Sequence, residues 1–130
     1  MARLILDSTV LIAAERGGRH LNKIIADDDD VAIAAITAAE LLVGVELDAD
    51  ARRPTRAAFV RSVLDTIPVE PYDASVARVH ATLLAHTRQS GRPRGAHDLI
   101  IAATALARDR IVVSHDAIAF ADLPGLHVRE

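Results

Sequence analysis

Three short segments consist entirely of apolar residues, and they constrain the fold of this chain more than any other feature. They span Leu4–Leu6, Val31–Ile36 and Ile111–Val113. A strand with one wet face alternates polar and apolar residues, whereas an uninterrupted apolar run indicates a strand that is covered on both faces. We therefore predict an α/β fold in one domain over residues 1–130, with a central parallel sheet and helices on both of its faces.

The segments between these runs have the apolar spacing and the end signals of helices. The predicted helices are Ser8–Glu15, Thr37–Asp48, Thr55–Leu64, Asp73–Arg88 and Ala96–Arg108, with helical spacing also over His20–Ala26. Arg53-Pro54 predicts a break before the third of these helices. Ile67–Glu70 and Leu126–Val128 are predicted edge strands; in the first of them, Pro68 cannot donate a ladder hydrogen bond.

Composition excludes several classes of function. The chain has no cysteine, which rules out a disulfide scaffold and a thiolate metal site. One tyrosine and two phenylalanines are too few for a stacking platform, and a net charge of −3 excludes nucleic-acid binding by bulk positive charge. No apolar run reaches the roughly 18 residues of a membrane helix, and no targeting segment is recognisable, so we expect a cytoplasmic location.

Four carboxylates lie where the predicted strands end or the helices begin. Asp7 ends the first strand, and Asp116 follows the last apolar run. Glu40 and Asp98 lie in the first turns of the second and the last predicted helix. Ligands of open parallel sheets bind beyond the carboxyl ends of the strands, so these side chains can converge there. Two carboxylates about 4 Å apart repel by about 4 kcal/mol at an effective dielectric near 20, and a cluster of four therefore requires a cation.

A carboxylate cluster of this kind suits a hard divalent cation. Oxygen ligands favour Mg²⁺ or Mn²⁺ over Zn²⁺, and such a site can support hydrolysis of phosphodiesters. Each acid also has a structural alternative, which the sequence leaves open. Thr37 and Glu40 can form a T-x-x-E capping box. Asp7 and Asp116 can cap a helix or a turn, and Asp98 can complement a helix dipole.

Four segments around these carboxylates carry recognisable motifs. They are Leu4–Ile12, Ile36–Gly44, Gly91–Ala103 and Val112–Leu126. In order and spacing, and over nearly the whole chain, they resemble the motifs of the PIN-domain ribonucleases and, within that family, of the VapC toxins of bacterial toxin–antitoxin pairs. The third segment is the most specific, although it has His97 where Asn is common. Ala119 stands where the family often has a second polar residue, which leaves Asp116 as the fourth acid.

The resemblance implies a metal-dependent endoribonuclease that is the toxin of a type II toxin–antitoxin pair. It implies that Asp7 and Asp98 bind the metal ion, Mg²⁺ or Mn²⁺. Glu40 and Asp116 would complete the acidic site. The implied partners are a VapB-like antitoxin, an RNA substrate and a second copy of the chain in a homodimer, with no membrane.

Two pairs of polar residues are candidates for supporting roles. Thr9 and Ser114 stand where the family has hydroxyls that hydrogen-bond near the metal or the phosphate, and local turn bonding is the alternative. Arg92 and Arg94 are the arginines closest in sequence to Asp98, and we hypothesise that one of them contacts the RNA phosphate. Their alternative is a solvated loop. The arginines of a separate helical region are interpreted as surface residues: Arg52, Arg53 and Arg56.

Two other functions remain possible at this point. One is a catalytically inert PIN-like module that binds RNA or protein. The other is an enzyme with an aspartyl nucleophile similar to the haloacid dehalogenases, but Thr9 stands where such enzymes need a second Asp, and the single lysine, Lys23, comes early. Apolar residues of the first helical segments either line a groove for the antitoxin or belong to the core: Val10, Leu11, Leu21, Ile24 and Ile25.

Overall fold

Five parallel strands form one sheet in the computed structural model, which describes residues 1–17 and 26–130. The strands are β1 (Arg3–Leu6), β2 (Asp30–Ala34), β3 (Val69–Glu70), β4 (Ile111–Val113) and β5 (Val128–Arg129), in the order β3-β2-β1-β4-β5. The helices are α1 (Ser8–Glu15), α2 (Ala35–Leu47), α3 (Arg53–Thr66), α4 (Ala74–Ser90) and α5 (Ala96–Ala107), with a 3₁₀ turn at Ala117–Phe120. The helical spacing predicted over His20–Ala26 falls mainly on residues 18–25, which lie outside the described residues.

Alternation along β1 divides the core into two layers, as side chains on a strand point to opposite faces in turn. Leu4 and Leu6 pack with α1, α2 and α3 on one face of the sheet. Ile5 packs with α4 and α5 on the other face. The predicted parallel sheet with helices on both faces is therefore confirmed. Val10 and Leu11 are each 1% exposed, so they belong to the core and do not line an open groove.

The boundary between β2 and α2 differs from the prediction. The predicted strand Val31–Ile36 ends two residues early, and α2 begins at Ala35 instead of Thr37. Ala35 and Ile36 continue the apolar run, and periodicity alone cannot separate the end of a buried strand from the start of a buried helix. Thr37 consequently lies inside α2 and is fully buried.

Pro54 does not break the chain as predicted. α3 begins at Arg53, and Pro54 lies in its first turn. Backbone N–H groups of the first turn have no acceptor within the helix, so proline, which lacks an N–H, is tolerated there. The two predicted edge strands are confirmed as the outer strands of the sheet. Both are shorter than predicted, and the second is shifted to Val128–Arg129. In the first of them Pro68 accepts a hydrogen bond from Ile33 through its carbonyl, which a proline can do.

α4 and α5 begin and end with the expected signals. Asp73 caps α4, because its side chain accepts a hydrogen bond from the backbone N–H of Val76. Gly91 ends α4 in the left-handed conformation, with φ of 67°. Among the described residues, no helix is long and apolar enough to cross a membrane.

Candidate active site

Asp7 follows β1, where its carboxylate caps α1 and also accepts hydrogen bonds from two hydroxyl groups. Its side chain is buried, and its Oδ1 accepts a hydrogen bond from the N–H of Val10 at 3.3 Å, which caps α1. The hydroxyl of Thr9 donates to Oδ1, and the hydroxyl of Ser114 donates to Oδ2. The helix-cap alternative is therefore correct for Asp7. However, a cap uses only one carboxylate oxygen, and here both oxygens are held in place.

Thr9 and Ser114 connect the ends of β1 and β4. Ser114 is fully buried, and its Oγ accepts a hydrogen bond from the N–H of Asp116 at 2.9 Å. The Oγ1 of Thr9 accepts one from the N–H of His115 at 3.0 Å. The predicted local turn bonding is therefore present, and the same two hydroxyls also fix the carboxylate of Asp7. The side chain of Asp116 is exposed and does not cap the 3₁₀ turn that follows it.

Asp98 lies in the first turn of α5, and its carboxyl is affected by the acids around it. Burial raises its pKa, and the negative charges of Asp7, Asp116 and Glu40 raise it further, while His97 opposes them. Asp98 therefore lies within the electrostatic influence of the other three carboxylates.

Gly95 leaves the space that the Asp98 side chain occupies. A Cβ at position 95 would lie 2.8 Å from the Oδ2 of Asp98, closer than such atoms approach in real proteins. A side chain at this position would therefore force the carboxylate to move.

Glu40 lies in the second turn of α2, and the predicted capping box is wrong. The N-cap of α2 is Ala34, which makes no side-chain cap, because the helix begins two residues before Thr37. Glu40 is instead directed to the site: its Oε2 lies 3.3 Å from the Nδ1 of His97. Its Oε1 is buried and has no hydrogen-bond partner among the described residues. His97, which stands where Asn is common in the family motif, thus contacts a carboxylate of the cluster.

The donor set of this cluster fits a divalent cation. Carboxylate oxygens are hard ligands, and the buried Oε1 of Glu40 lacks the partner that a buried polar atom needs. Among the described arginines other than Arg129, none forms an ion pair with any of the four carboxylates; the basic group beside the cluster is His97, 3.3 Å from Glu40. In residues 1–17 and 26–130, no three acidic or histidine side chains meet closely enough to make a complete ion shell. Side-chain rotation toward the ion would therefore accompany its binding.

Arg92 and Arg94 lie in the loop before α5 and hold it against the segment that follows the 3₁₀ turn. Arg92 pairs with Asp122 at 3.1 Å, and both side chains are exposed. Arg94 donates to the carbonyl of Ala121 at 2.7 Å. These contacts give both arginines a structural role in the loop, and a contact with phosphate stays a prediction.

Arg56 is the residue whose place the sequence interpretation missed. It is not a plain surface residue: its Nη2 lies 3.1 Å from Glu15 on α1, and its Nε lies 3.3 Å from Asp48 after α2. The spacing of residues along one helix cannot predict either contact, because Glu15 and Asp48 both lie outside α3. Arg52 is exposed as predicted, and Arg53 donates to the carbonyls of Val45 in α2 and of Asp48 after it.

Comparisons with known proteins agree with this arrangement. The PIN domain family model matches residues 4–126. Ribonuclease VapC5 of Mycobacterium tuberculosis is 41% identical over 115 residues, which cover 86% of this chain and 82% of that protein. The tRNA(fMet)-specific endonuclease VapC of Shigella flexneri is 28% identical and aligns with 100% of this chain and 98% of its own length. The crystal structure of VapBC-5, a toxin–antitoxin system of Mycobacterium tuberculosis, matches with 37% identity and a TM-score of 0.81, covering 99% of this chain and 97% of that one. This chain therefore belongs to the PIN-domain family and, within it, to the VapC ribonucleases.

Proposed function

We propose that this protein is a metal-dependent endoribonuclease and the toxin of a toxin–antitoxin pair, with one PIN domain over residues 1–130. The observation that carries the proposal is the arrangement of the acids: both oxygens of Asp7 are held in place at the end of β1, and the Oε1 of Glu40 is buried without a hydrogen-bond partner among the described residues. The neighbouring carboxylates also raise the pKa of Asp98, and acids with perturbed pKa values are typical of functional sites. The relatives named ribonuclease or endonuclease support the choice of RNA as substrate.

The chemistry follows from the roles of the four acids. Asp7 and Asp98 would hold one Mg²⁺ or Mn²⁺ ion, and Glu40 and Asp116 would complete the site. A bound divalent cation lowers the pKa of water and stabilises negative charge on the leaving oxygen. Ser114 keeps the carboxylate of Asp7 in position. Attack by water on the phosphorus would leave 5′-phosphate and 3′-hydroxyl ends.

The partners follow from the family. The similar VapBC-5 structure is that of a toxin–antitoxin system, which supports a VapB-like antitoxin protein as the partner of this chain. We propose in addition a homodimer that acts on RNA in the cytoplasm. Arg92 and Arg94 remain candidates for a contact with the RNA phosphate. Their bonds to Asp122 and Ala121 would have to open or be shared for that contact.

The first experiment is cleavage of total bacterial RNA by the purified protein, with mapping of new 5′-phosphate ends. The reactions contain Mn²⁺ or Mg²⁺, or EDTA, and Asp98→Asn is tested in parallel. Discrete ends that need the metal and are absent with Asp98→Asn would support the proposal and identify the RNA. RNA binding that is equally tight in EDTA, without any cleavage, would instead support the inert binding module.

A further inference from the structure

A small cavity opens directly beside the acidic cluster and has no role in the chemistry proposed above. Its volume is about 180 Å³. Ile12, Leu41 and Phe59 form apolar parts of its wall, and Glu40 also lines it. Glu40 belongs both to the cavity and to the acidic cluster. An occupant of the cavity therefore lies next to the site where the phosphate would be cleaved. An apolar cavity of about 150 Å³ holds benzene, so this one has room for a single small ring system.

A charged pair lines the same cavity. Arg56 and Glu15 both contribute to its wall, and they contact each other at 3.1 Å. Asp48 lies 3.3 Å from the Nε of Arg56 and holds the guanidinium from the other side. The Nη1 is directed to Gly44, where a Cβ would lie 3.6 Å from it. The cavity therefore combines apolar walls with a guanidinium and a carboxylate that are bonded to each other, and an occupant that binds their polar atoms would share or open that bond.

Phe59 is the aromatic residue that the chain places in this wall. The other two aromatic residues are used elsewhere, since Phe120 belongs to the core and Tyr72 contacts His80. Sequence-specific RNA recognition mostly uses unpaired bases, which stack on aromatic rings or guanidinium planes and bind through their polar edges. A nucleobase has this combination of apolar faces and a polar edge.

We propose that this cavity binds one unpaired nucleobase next to the phosphate that is cleaved, with guanine as the best fit. The proposal rests on the ribonuclease function proposed above. Guanine offers O6 and N7 as acceptors to the guanidinium of Arg56, which is the commonest specific contact of arginine with a base. Its N1–H and N2–H groups can donate to the carboxylate of Glu15. The pocket thus selects the sequence at the cut, whereas the acidic cluster performs the hydrolysis.

The test is cleavage of an RNA oligonucleotide library that is randomised on both sides of one cut. The full-length protein is used with Mn²⁺, and the products are sequenced. We expect a preference for guanine at one position beside the cut. Arg56→Ala should reduce that preference about 10-fold and leave the other positions unchanged, because one bidentate arginine contact accounts for the discrimination.

Two further variants separate the pocket from the stability of the protein. Arg52→Ala removes an arginine that pairs with the same Asp48 but does not line the cavity, so the guanine preference should stay unchanged. Gly44→Ala adds a methyl group to the cavity at an ordinary contact distance and improves helix propensity. We expect Gly44→Ala to weaken the preference while the protein stays folded.

A binding measurement makes the result independent of cleavage. Guanosine 5′-monophosphate and cytidine 5′-monophosphate are titrated into the protein in EDTA, and we expect the guanine nucleotide to bind several-fold more tightly, with the difference lost in Arg56→Ala. Equal binding of the two nucleotides would overturn the pocket. An unchanged cleavage preference in both Arg56→Ala and Gly44→Ala would do the same, as would an effect limited to binding of a partner protein. Absence of metal-dependent cleavage, with selective binding retained, would overturn the proposed function alone.

Discussion

Two clusters of acidic side chains lie against the same sheet, and their charges are balanced in opposite ways. Near the start of β4, the chain provides its own cations. Arg108 contacts Glu70 at 3.1 Å and also pairs with Asp73. Arg110 is buried and contacts Asp30 at 3.0 Å. Beyond the ends of β1 and β4, by contrast, none of the described arginines other than Arg129 pairs with the acids of the candidate active site: Asp7, Glu40, Asp98 and Asp116.

The pKa shifts show what this difference does. The N–H of Val76 and the guanidinium of Arg108 lower the pKa of Asp73. Burial and neighbouring carboxylates raise the pKa of Asp98. The first environment favours the ionised acid and therefore contributes to folding, whereas the second opposes ionisation and costs stability. An acid cluster that the chain leaves unbalanced is one that a cation from solution can complete, and this distinguishes a functional cluster from a structural one.

The largest expected effect is that of Asp98→Asn, which tests the unbalanced cluster. Cleavage should fall about 1,000-fold, since the loss of a metal ligand removes about 4 kcal/mol of charge stabilisation. The free energy of unfolding without metal should stay the same or rise, because one repelling charge is removed. Cleavage assays and urea unfolding in EDTA measure both. Asp65→Asn, on the exposed part of α3, is the matched control and should change neither. A strongly destabilised Asp98→Asn would make this acid a structural residue.

The balanced cluster should respond in the opposite way to Arg110→Met. This change leaves Asp30 without its buried partner and removes the donor to the carbonyl of Leu4. The side chain of Asp30 is 36% exposed and keeps its pair with Arg3, so the cost comes from the lost hydrogen bonds of the buried guanidinium, about 1.5–3 kcal/mol of unfolding free energy. Cleavage per folded molecule should be unchanged. Arg3→Met is the control, because Arg3 pairs with Asp30 at the exposed surface, where a pair contributes about 1 kcal/mol or less. An equal loss of unfolding free energy in Arg110→Met and Arg3→Met, measured with urea, would show that the buried pair contributes no more than the exposed one.

A smaller effect on activity is expected from Ser114→Ala, which tests how Asp7 is held. The change removes a donor to Asp7 and an acceptor for the N–H of Asp116. Loss of a residue that orients a metal ligand typically lowers metal affinity or activity about 10- to 100-fold. Metal titration together with cleavage kinetics would detect this. Ser90→Ala removes only a bond to the carbonyl of Thr87 and should have no effect on cleavage. Normal metal affinity in Ser114→Ala would show that the hydroxyl only shapes the turn.

The smallest expected effect is on the pH dependence of stability without metal. The pKa of Asp73 is lowered from 3.8, so its contribution to stability is present above that value and is lost as the pH falls through the lowered pKa. The pKa of Asp98 is raised from 3.8, so stability is highest below that value and is lost as the pH rises through the raised pKa. In EDTA, the loss of stability at low pH should therefore be smaller in Asp73→Asn, and the loss of stability as the pH rises through the raised pKa should be smaller in Asp98→Asn. The same change in both variants would contradict the comparison.

Much of the fold could be predicted from local patterns. The continuous apolar runs indicate strands that are buried on both faces. Such strands require helices on both sides of the sheet, as the structure has them. The predictions fail where a pattern has two interpretations. Ala35 and Ile36 extend an apolar run, so the pattern predicts the start of α2 two residues late and leaves a capping box at Thr37 and Glu40 open, which the earlier start of the helix excludes. A proline can break a helix or occupy its first turn, and the sequence pattern does not distinguish the two at Pro54, which lies in the first turn of α3.

The sequence alone determined the composition of the site: which acids follow the strands, which hydroxyls stand beside them, and which family the motifs resemble. Tertiary structure decided which acids are balanced. Arg110 reaches Asp30, and Arg56 reaches Glu15, across distances in the chain that no local spacing records. The physical reason is that periodicity and capping act over one or two turns, whereas ion pairs and burial depend on how distant elements pack. The pKa of Asp98 is therefore a property of the folded chain.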